Sequence, residues 1–148
     1  GFTVSATSLS FSAEQNGVLP PTQDIQTSFS HPEAAYVGAA YPPGVSPVSW
    51  LAITYSGSGN SYTFHFSVNT TGLSPGTYTT TIGLGIARSN GSIITYKNVT
   101  VNYTITAKLT ASPTSLNFTH VIGNPVPPNT IINIGGMGAS WTATANQS

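Results

Sequence analysis

The opening of this chain returns 107 residues later, and that repeat constrains the fold more than any other feature of the sequence. Phe2 to Thr27 align with Leu109 to Ile134 without a gap, with nine of the 26 positions identical. Thr7-Ser8-Leu9-x-Phe11 recurs as Thr114-Ser115-Leu116-x-Phe118, Pro20-Pro21 as Pro127-Pro128, and Ile25 as Ile132. A period of about 107 residues is the size of an independently folding β-sandwich and several times longer than a solenoid repeat. Residues 1–107 therefore read as one complete module and residues 108–148 as the N-terminal part of a second copy.

Strict alternation of apolar and polar residues is the strongest local signal. In Ser61 to Asn69, residues Tyr62, Phe64, Phe66 and Val68 share one face, and Thr63, His65, Ser67 and Asn69 the other. Thr70 to Thr77 follows as a turn in which Gly72 and Gly76 supply positive φ and Pro75 pre-sets the bend. A second alternating run places Tyr78, Thr80, Ile82, Leu84 and Ile86 together. Asn90-Gly91 favours a type I′ hairpin turn, so Ser92 to Thr106 should pair antiparallel with the strand before it. Within that segment the apolar phase moves from even positions (Ile94, Tyr96) to odd ones (Val99, Val101, Tyr103, Ile105), which predicts a β-bulge near Lys97 and Asn98. Further strands are expected at Ser8 to Ser12, Gln23 to Phe29 and Trp50 to Tyr55, with a weaker one at Ala35 to Ala39. In the second copy they are expected at Ser115 to Thr119, Thr130 to Ile134 and Ser140 to Ala145. No window carries a capped 3.6-residue period. About seven short strands per module imply an all-β, immunoglobulin-like antiparallel β-sandwich, followed by a partial second sandwich.

Composition narrows the function. Three basic and three acidic residues make 4% of the chain charged, against about 25% in an ordinary soluble domain. Without a basic patch to draw phosphates, nucleic acid is not expected as a partner. With 39% hydrophobic residues and fifteen aromatics (2 Trp, 7 Tyr, 6 Phe), the chain does not have the composition of a disordered protein. Its solubility rests on 41 hydroxyl residues (19 Ser and 22 Thr) and eleven Asn, a surface that suits extracellular and cell-surface proteins. There is no cysteine, hence neither a disulfide framework nor a thiolate metal site. No apolar run reaches the roughly 20 residues of a membrane span. A start at Gly1 without Met leads to the expectation of a processed or excerpted chain.

Several pieces of the sequence together resemble BACON-like domains, bacterial immunoglobulin-like modules often found in tandem in exported proteins, including polysaccharide-degrading enzymes. They are Leu9-x-Phe11, Pro20-Pro21, Trp50-Leu51-Ala52-Ile53, Gly57-x-Gly59, the run Val68-Asn69-Thr70-Thr71-Gly72-Leu73-x-Pro75-Gly76-Thr77-Tyr78, and the closing Val-x-Val-x-Tyr strand. The resemblance covers residues 1–107 and, partially, 108–148. It implies either carbohydrate binding or a spacer role, and it carries over no catalytic residue. Ser30 to Ser49 is longer and richer in Pro and Gly than the family pattern.

Trp50 is the first candidate for a sugar-stacking platform: if Leu51, Ile53 and Tyr55 face the core, alternation turns Trp50 outward. Tyr36 and Tyr41 would extend that platform; the competing reading is a packed Trp and a loop laid on the sandwich. Catalysis has little to work with. The only side-chain carboxylates are Glu14, Asp24 and Glu33, and a glycosidase needs two held across a cleft. His31, His65 and His120 lack metal-ligand spacing, so no metal or cofactor is expected and the chain reads as a non-enzyme. Asn-x-Ser/Thr sequons occur at Asn69, Asn90, Asn98, Asn102, Asn117 and Asn146, where chance gives about three. Asn98 and Asn102 should face outward.

Half a sandwich cannot cover its own apolar face. Leu116, Phe118, Ile132, Ile134 and Trp141 would be left wet, and burying each is worth roughly 1.5–3 kcal/mol. Either the natural chain continues or these strands complete a sheet in a neighbouring molecule. The sequence thus points to a non-catalytic extracellular structural or adhesive module of a surface protein or fibre. Its partners would be copies of itself or adjacent modules. The rival is a carbohydrate-binding accessory module whose partner is a polysaccharide.

Overall fold

A computed structural model describes residues 1–70, 72–112, 122–123, 133–135 and 142. Eight strands build the first module: β1 (Phe2–Val4), β2 (Ser8–Glu14), β3 (Gln23–Phe29), β4 (Tyr36–Ala40), β5 (Leu51–Ser58), β6 (Ser61–Val68), β7 (Gly76–Ala87) and β8 (Ile93–Thr106). Two four-stranded sheets result, in the orders β1-β3-β6-β5 and β2-β8-β7-β4. Every pairing is antiparallel except β2 with β8, which run parallel. This is the immunoglobulin-like arrangement, with the first strand broken so that β1 serves one sheet and β2 the other.

Period-two alternation places the core. Ile25, Phe64 and Phe66 from one sheet meet Ile82, Leu84, Ile86, Val99, Val101, Tyr103 and Ile105 from the other, all at most 2% exposed. A one-residue slip of β6 would exchange Phe64 and Phe66 for Thr63, His65 and Ser67, which fixes the register. Tyr103 anchors the cluster, with its ring edge-on to Phe11 at 6.5 Å and tilted against Trp50 at 5.8 Å. Its hydroxyl is buried without a hydrogen-bond partner.

The turn before β7 behaves as its residues dictate, with φ of 74° at Gly72 and 153° at Gly76. Tyr78 then donates its hydroxyl proton to the Ser74 carbonyl at 2.7 Å. That bond is the tyrosine corner of immunoglobulin-like sandwiches, a Tyr near the start of the strand tied back to the backbone just upstream. It gives a physical reason for Pro75-Gly76-Thr77-Tyr78 in the sequence.

Two local expectations are corrected. The β7–β8 connection is not a type I′ turn, because only Gly91 has positive φ, at 87°. The Gly91 N–H bonds the Arg88 carbonyl and the Arg88 N–H the Ser92 carbonyl, a type I turn closed by a left-handed glycine. Nor does a bulge lie near Lys97 and Asn98, where Leu84↔Lys97 and Gly83↔Asn98 pair in unbroken register. The shift falls at Ile86/Ala87, whose partners Thr95 and Ile93 leave Ile94 as the extra residue. The sequence phase was misleading because Tyr96 is not a core residue: it lies half exposed on the outer face.

Beyond the first module, β9 (Thr110–Ser112) pairs antiparallel with β10 (Asn133–Gly135). Subtracting 107 from Thr110↔Gly135 gives Thr3↔Ser28, and from Ala111↔Ile134 gives Val4↔Thr27, two pairs of the β1–β3 ladder. β9 and β10 thus repeat two register pairs of β1 and β3. The strands expected at Ser115 to Thr119 and, apart from Thr142, at Ser140 to Ala145 lie outside the described residues.

Candidate functional site

The expected stacking platform does not form around Trp50. Trp50 precedes β5, its side chain turns inward, and it is only 5% exposed against Tyr103. Alternation predicts direction only inside a regular strand, and Trp50 sits one residue outside it. Tyr41 is also partly buried against the core, and its hydroxyl accepts from the Val48 N–H at 3.2 Å. Tyr36 alone remains available, at 59% exposed.

Tyr36 belongs to a different surface, the outer face of the β4–β7–β8 sheet. Register sets three rows across these strands: Tyr36–Ala87–Ile93, Gly38–Gly85–Tyr96 and Ala40–Gly83–Asn98. The result is an apolar groove of about 260 Å³ floored by glycines and walled by Tyr36, Ile93 and Tyr96. Gly85 is required there, since a Cβ would lie 2.8 Å from the Thr95 carbonyl oxygen and 2.9 Å from Tyr96 Cβ. At one end Arg88 donates to Glu33 at 2.7 Å, and this guanidinium holds the Glu33 carboxyl below the usual carboxylate range.

The outer face of the other sheet carries a polar cluster that sequence reading missed. Asp24 on β3 stands directly opposite His65 on β6, and His65 Nδ1 lies 2.8 Å from Asp24 Oδ1. Ser56 on the edge strand β5 is diagonal to His65, its Oγ 3.0 Å from Nε2. All three remain accessible, with His65 33% and Asp24 50% exposed at the side chain. Asp24 is therefore paired with His65, and Glu33 with Arg88. The signal available in the sequence was alternation itself, which puts Asp24 and His65 on outward faces of their strands. What the sequence lacked was the β3–β6 register.

Among the sequons, Asn98 is exposed and Asn102 faces outward as expected, although Asn102 Oδ1 accepts from Thr79 Oγ1 at 2.8 Å. Asn90 is exposed at the β7–β8 turn, where its Oδ1 accepts from the Ser92 N–H and hydroxyl. Asn69 is half buried and donates its Nδ2 proton to the Ser49 carbonyl. Asn117 and Asn146 lie outside the described residues, as do Leu116, Phe118, Ile132 and Trp141. Ile134 is exposed in β10. Among the described residues no group of three or more His, Cys, Asp or Glu is placed to hold a metal, and no helix is long and apolar enough to cross a membrane.

No protein-family model matches the chain, and no curated protein matches it significantly.

Proposed function

We propose that this chain is a non-catalytic structural or adhesive module of an extracellular tandem array, carrying tension from one neighbour to the next. The observation behind this reading is the parallel pairing of β2 with β8, which runs through seven register pairs from Ser8↔Thr100 to Glu14↔Thr106. Tension enters on the N-terminal side of β2 and leaves on the C-terminal side of β8. In parallel neighbours those forces point in opposite directions along one ladder. The inter-strand bonds are then sheared together, whereas an antiparallel terminal pair would open one bond at a time. The return of the β1–β3 register in β9–β10 supports repetition of the unit, and the charge-poor, hydroxyl-rich composition fits an extracellular setting. The BACON-like resemblance belongs to the same proposal, as a module used as a spacer.

Stretching single molecules of the full chain from its two ends tests this. Release of residues 8–106 frees 99 residues (106 − 8 + 1), so the event should add about 310–340 Å of contour, at about 3.3–3.6 Å per residue less the roughly 20 Å that Ser8 to Thr106 already spans along the ladder. The Thr7 carbonyl accepts from the Thr100 N–H and the Gln15 N–H donates to the Thr106 carbonyl, so odd residues of β2 carry the ladder. Ala13→Pro removes one such donor and should lower the rupture force. An unchanged force in that variant, or lengthening in many small low-force steps, refutes the tension-bearing role. Light scattering and electron microscopy of the same chain report whether copies also associate by strand exchange.

The groove beside Tyr36 favours a second reading, a carbohydrate-binding accessory module that uses Tyr36 and Tyr96 in place of Trp50. Co-sedimentation with insoluble polysaccharide that is lost in Tyr36→Ala would favour it.

A further inference from the structure

We infer that Ser56 is an activated nucleophile that accepts acyl groups, through a relay with His65 and Asp24 that owes nothing to the tandem-module role. Asp24 is one of three side-chain carboxylates and His65 one of three histidines in 148 residues, yet the β3–β6 register sets them face to face. An ionised carboxylate only accepts hydrogen bonds. The 2.8 Å contact therefore places a proton on His65 Nδ1, and in the neutral imidazole the Nε2 lone pair then faces Ser56 Oγ, 3.0 Å away. The 3.0 Å contact lies in the range from which a base takes a hydroxyl proton, and the 2.8 Å contact is that of a third group orienting the base. Carboxylate, Nδ1, Nε2 and hydroxyl follow one another as in serine hydrolases, whose relay is recognised by geometry and not by chain order. Asp24 is a positioning residue here, since it acts through His65.

The step balances without any co-reactant. Ser56 Oγ bonds to the acyl carbon of an ester while His65 Nε2 takes the hydroxyl proton. The carbonyl electron pair moves onto oxygen, then returns as the bond to the leaving group breaks. The leaving group departs with that bond pair as an anion, and the imidazolium gives its proton to water. The products are acyl-Ser56, the free anion and one proton.

The surroundings set the donor class. The Asn69 N–H bonds the Trp50 carbonyl, and alternation from that pair ties the N–H groups of Thr54 and Ser56 into the β5–β6 ladder. The serine's own N–H is thus spent on the sheet and does not form part of an oxyanion hole, a donor whose loss costs about 10²–10³ in rate in the enzymes that use one. Aryl esters and thioesters, whose leaving groups depart unprotonated, are therefore the matching donors. The serine alkoxide is a poorer leaving group than an aryloxide or thiolate, so without an oxyanion donor hydrolysis lags behind acylation and Ser56 serves as a stoichiometric acceptor.

The full 148-residue chain treated with p-nitrophenyl acetate provides the test. Nitrophenolate release gives the rate, and peptide mass spectrometry locates hydroxylamine-labile acetyl groups. The other 40 Ser and Thr residues (18 Ser besides Ser56, and 22 Thr) are internal controls. Ser56 should carry most of the ester-linked acetyl. His65→Gln should slow its labelling about 100-fold and Asp24→Asn about tenfold or more, while Asp24→Glu recovers part of the rate. Both positions face outward from their sheet and leave the core untouched, so unchanged far-UV circular dichroism accompanies the loss. Acetyl spread over many hydroxyls, or Ser56 labelled equally fast in His65→Gln, overturns the relay. Equal labelling in Asp24→Asn removes Asp24 from it.

Discussion

Gly83 and Gly85 lie on the same face of the same strand, two residues apart, yet alanine at the two positions should move stability in opposite directions. A Cβ at Gly85 would meet the Thr95 carbonyl oxygen at 2.8 Å, Tyr96 Cβ at 2.9 Å and Tyr96 Cα at 3.3 Å. The carbon contact at 2.9 Å falls roughly 0.6 Å short of the ~3.5 Å optimum. The obstructing atoms are the backbone of β8 or one bond from it, so no rotamer change relieves them. Overpacking of this kind costs about 1–3 kcal/mol, offset by about 0.4–1 kcal/mol from the less flexible unfolded chain. At Gly83 the nearest atoms are Tyr96 Cδ2 at 3.5 Å and the Ala40 carbonyl oxygen at 3.6 Å, ordinary contacts, and the entropic gain stands alone. Gly85→Ala should therefore lose up to about 2.6 kcal/mol, with a midpoint of about 1.3, and Gly83→Ala gain about 0.4–1 kcal/mol. Near 100 residues, 1 kcal/mol corresponds to roughly 4–8 °C in Tm. Urea unfolding followed by far-UV circular dichroism, fitted with a common slope, separates the two variants. Stabilities within about 0.5 kcal/mol of each other would refute the placement of Tyr96 across the Gly85 backbone.

Tyr103→Phe removes a buried hydroxyl that has no partner and should stabilise the fold by about 1 kcal/mol, measured by the same unfolding curves. Burial also pushes the Tyr103 phenol up from its ordinary value. The unfolded chain then loses that proton first, so stability is full below about pH 10 and falls as pH rises beyond it. The alkaline fall should be shallower in Tyr103→Phe. Tyr78→Phe deletes the bond to the Ser74 carbonyl and should cost about 0.5–1.5 kcal/mol. An unchanged Tm in that variant would count against the tyrosine corner as a stabilising element.

What the sequence determined by itself was periodic. Alternation assigned Phe64, Phe66, Ile82, Leu84, Val99, Val101 and Tyr103 to one face of their strands, and all are buried. Within residues 108–148, where the 107-residue repeat leads to the expectation of a second unit, β9 and β10 repeat two register pairs of β1–β3. These features were legible because side-chain direction along a strand follows from backbone geometry alone. The tertiary structure decided whatever depends on a partner strand. Trp50 turned inward because the strand it was expected to open begins at Leu51. Tyr96 looked like core but lies across glycines contributed by β7. Asp24 and His65, 41 residues apart, meet only because two sheet neighbours pair in one particular register. Alternation assigns a residue to a face, but which residue stands opposite it is set by packing the apolar faces of distant strands into one core, and the polar contacts on the outer faces inherit that alignment.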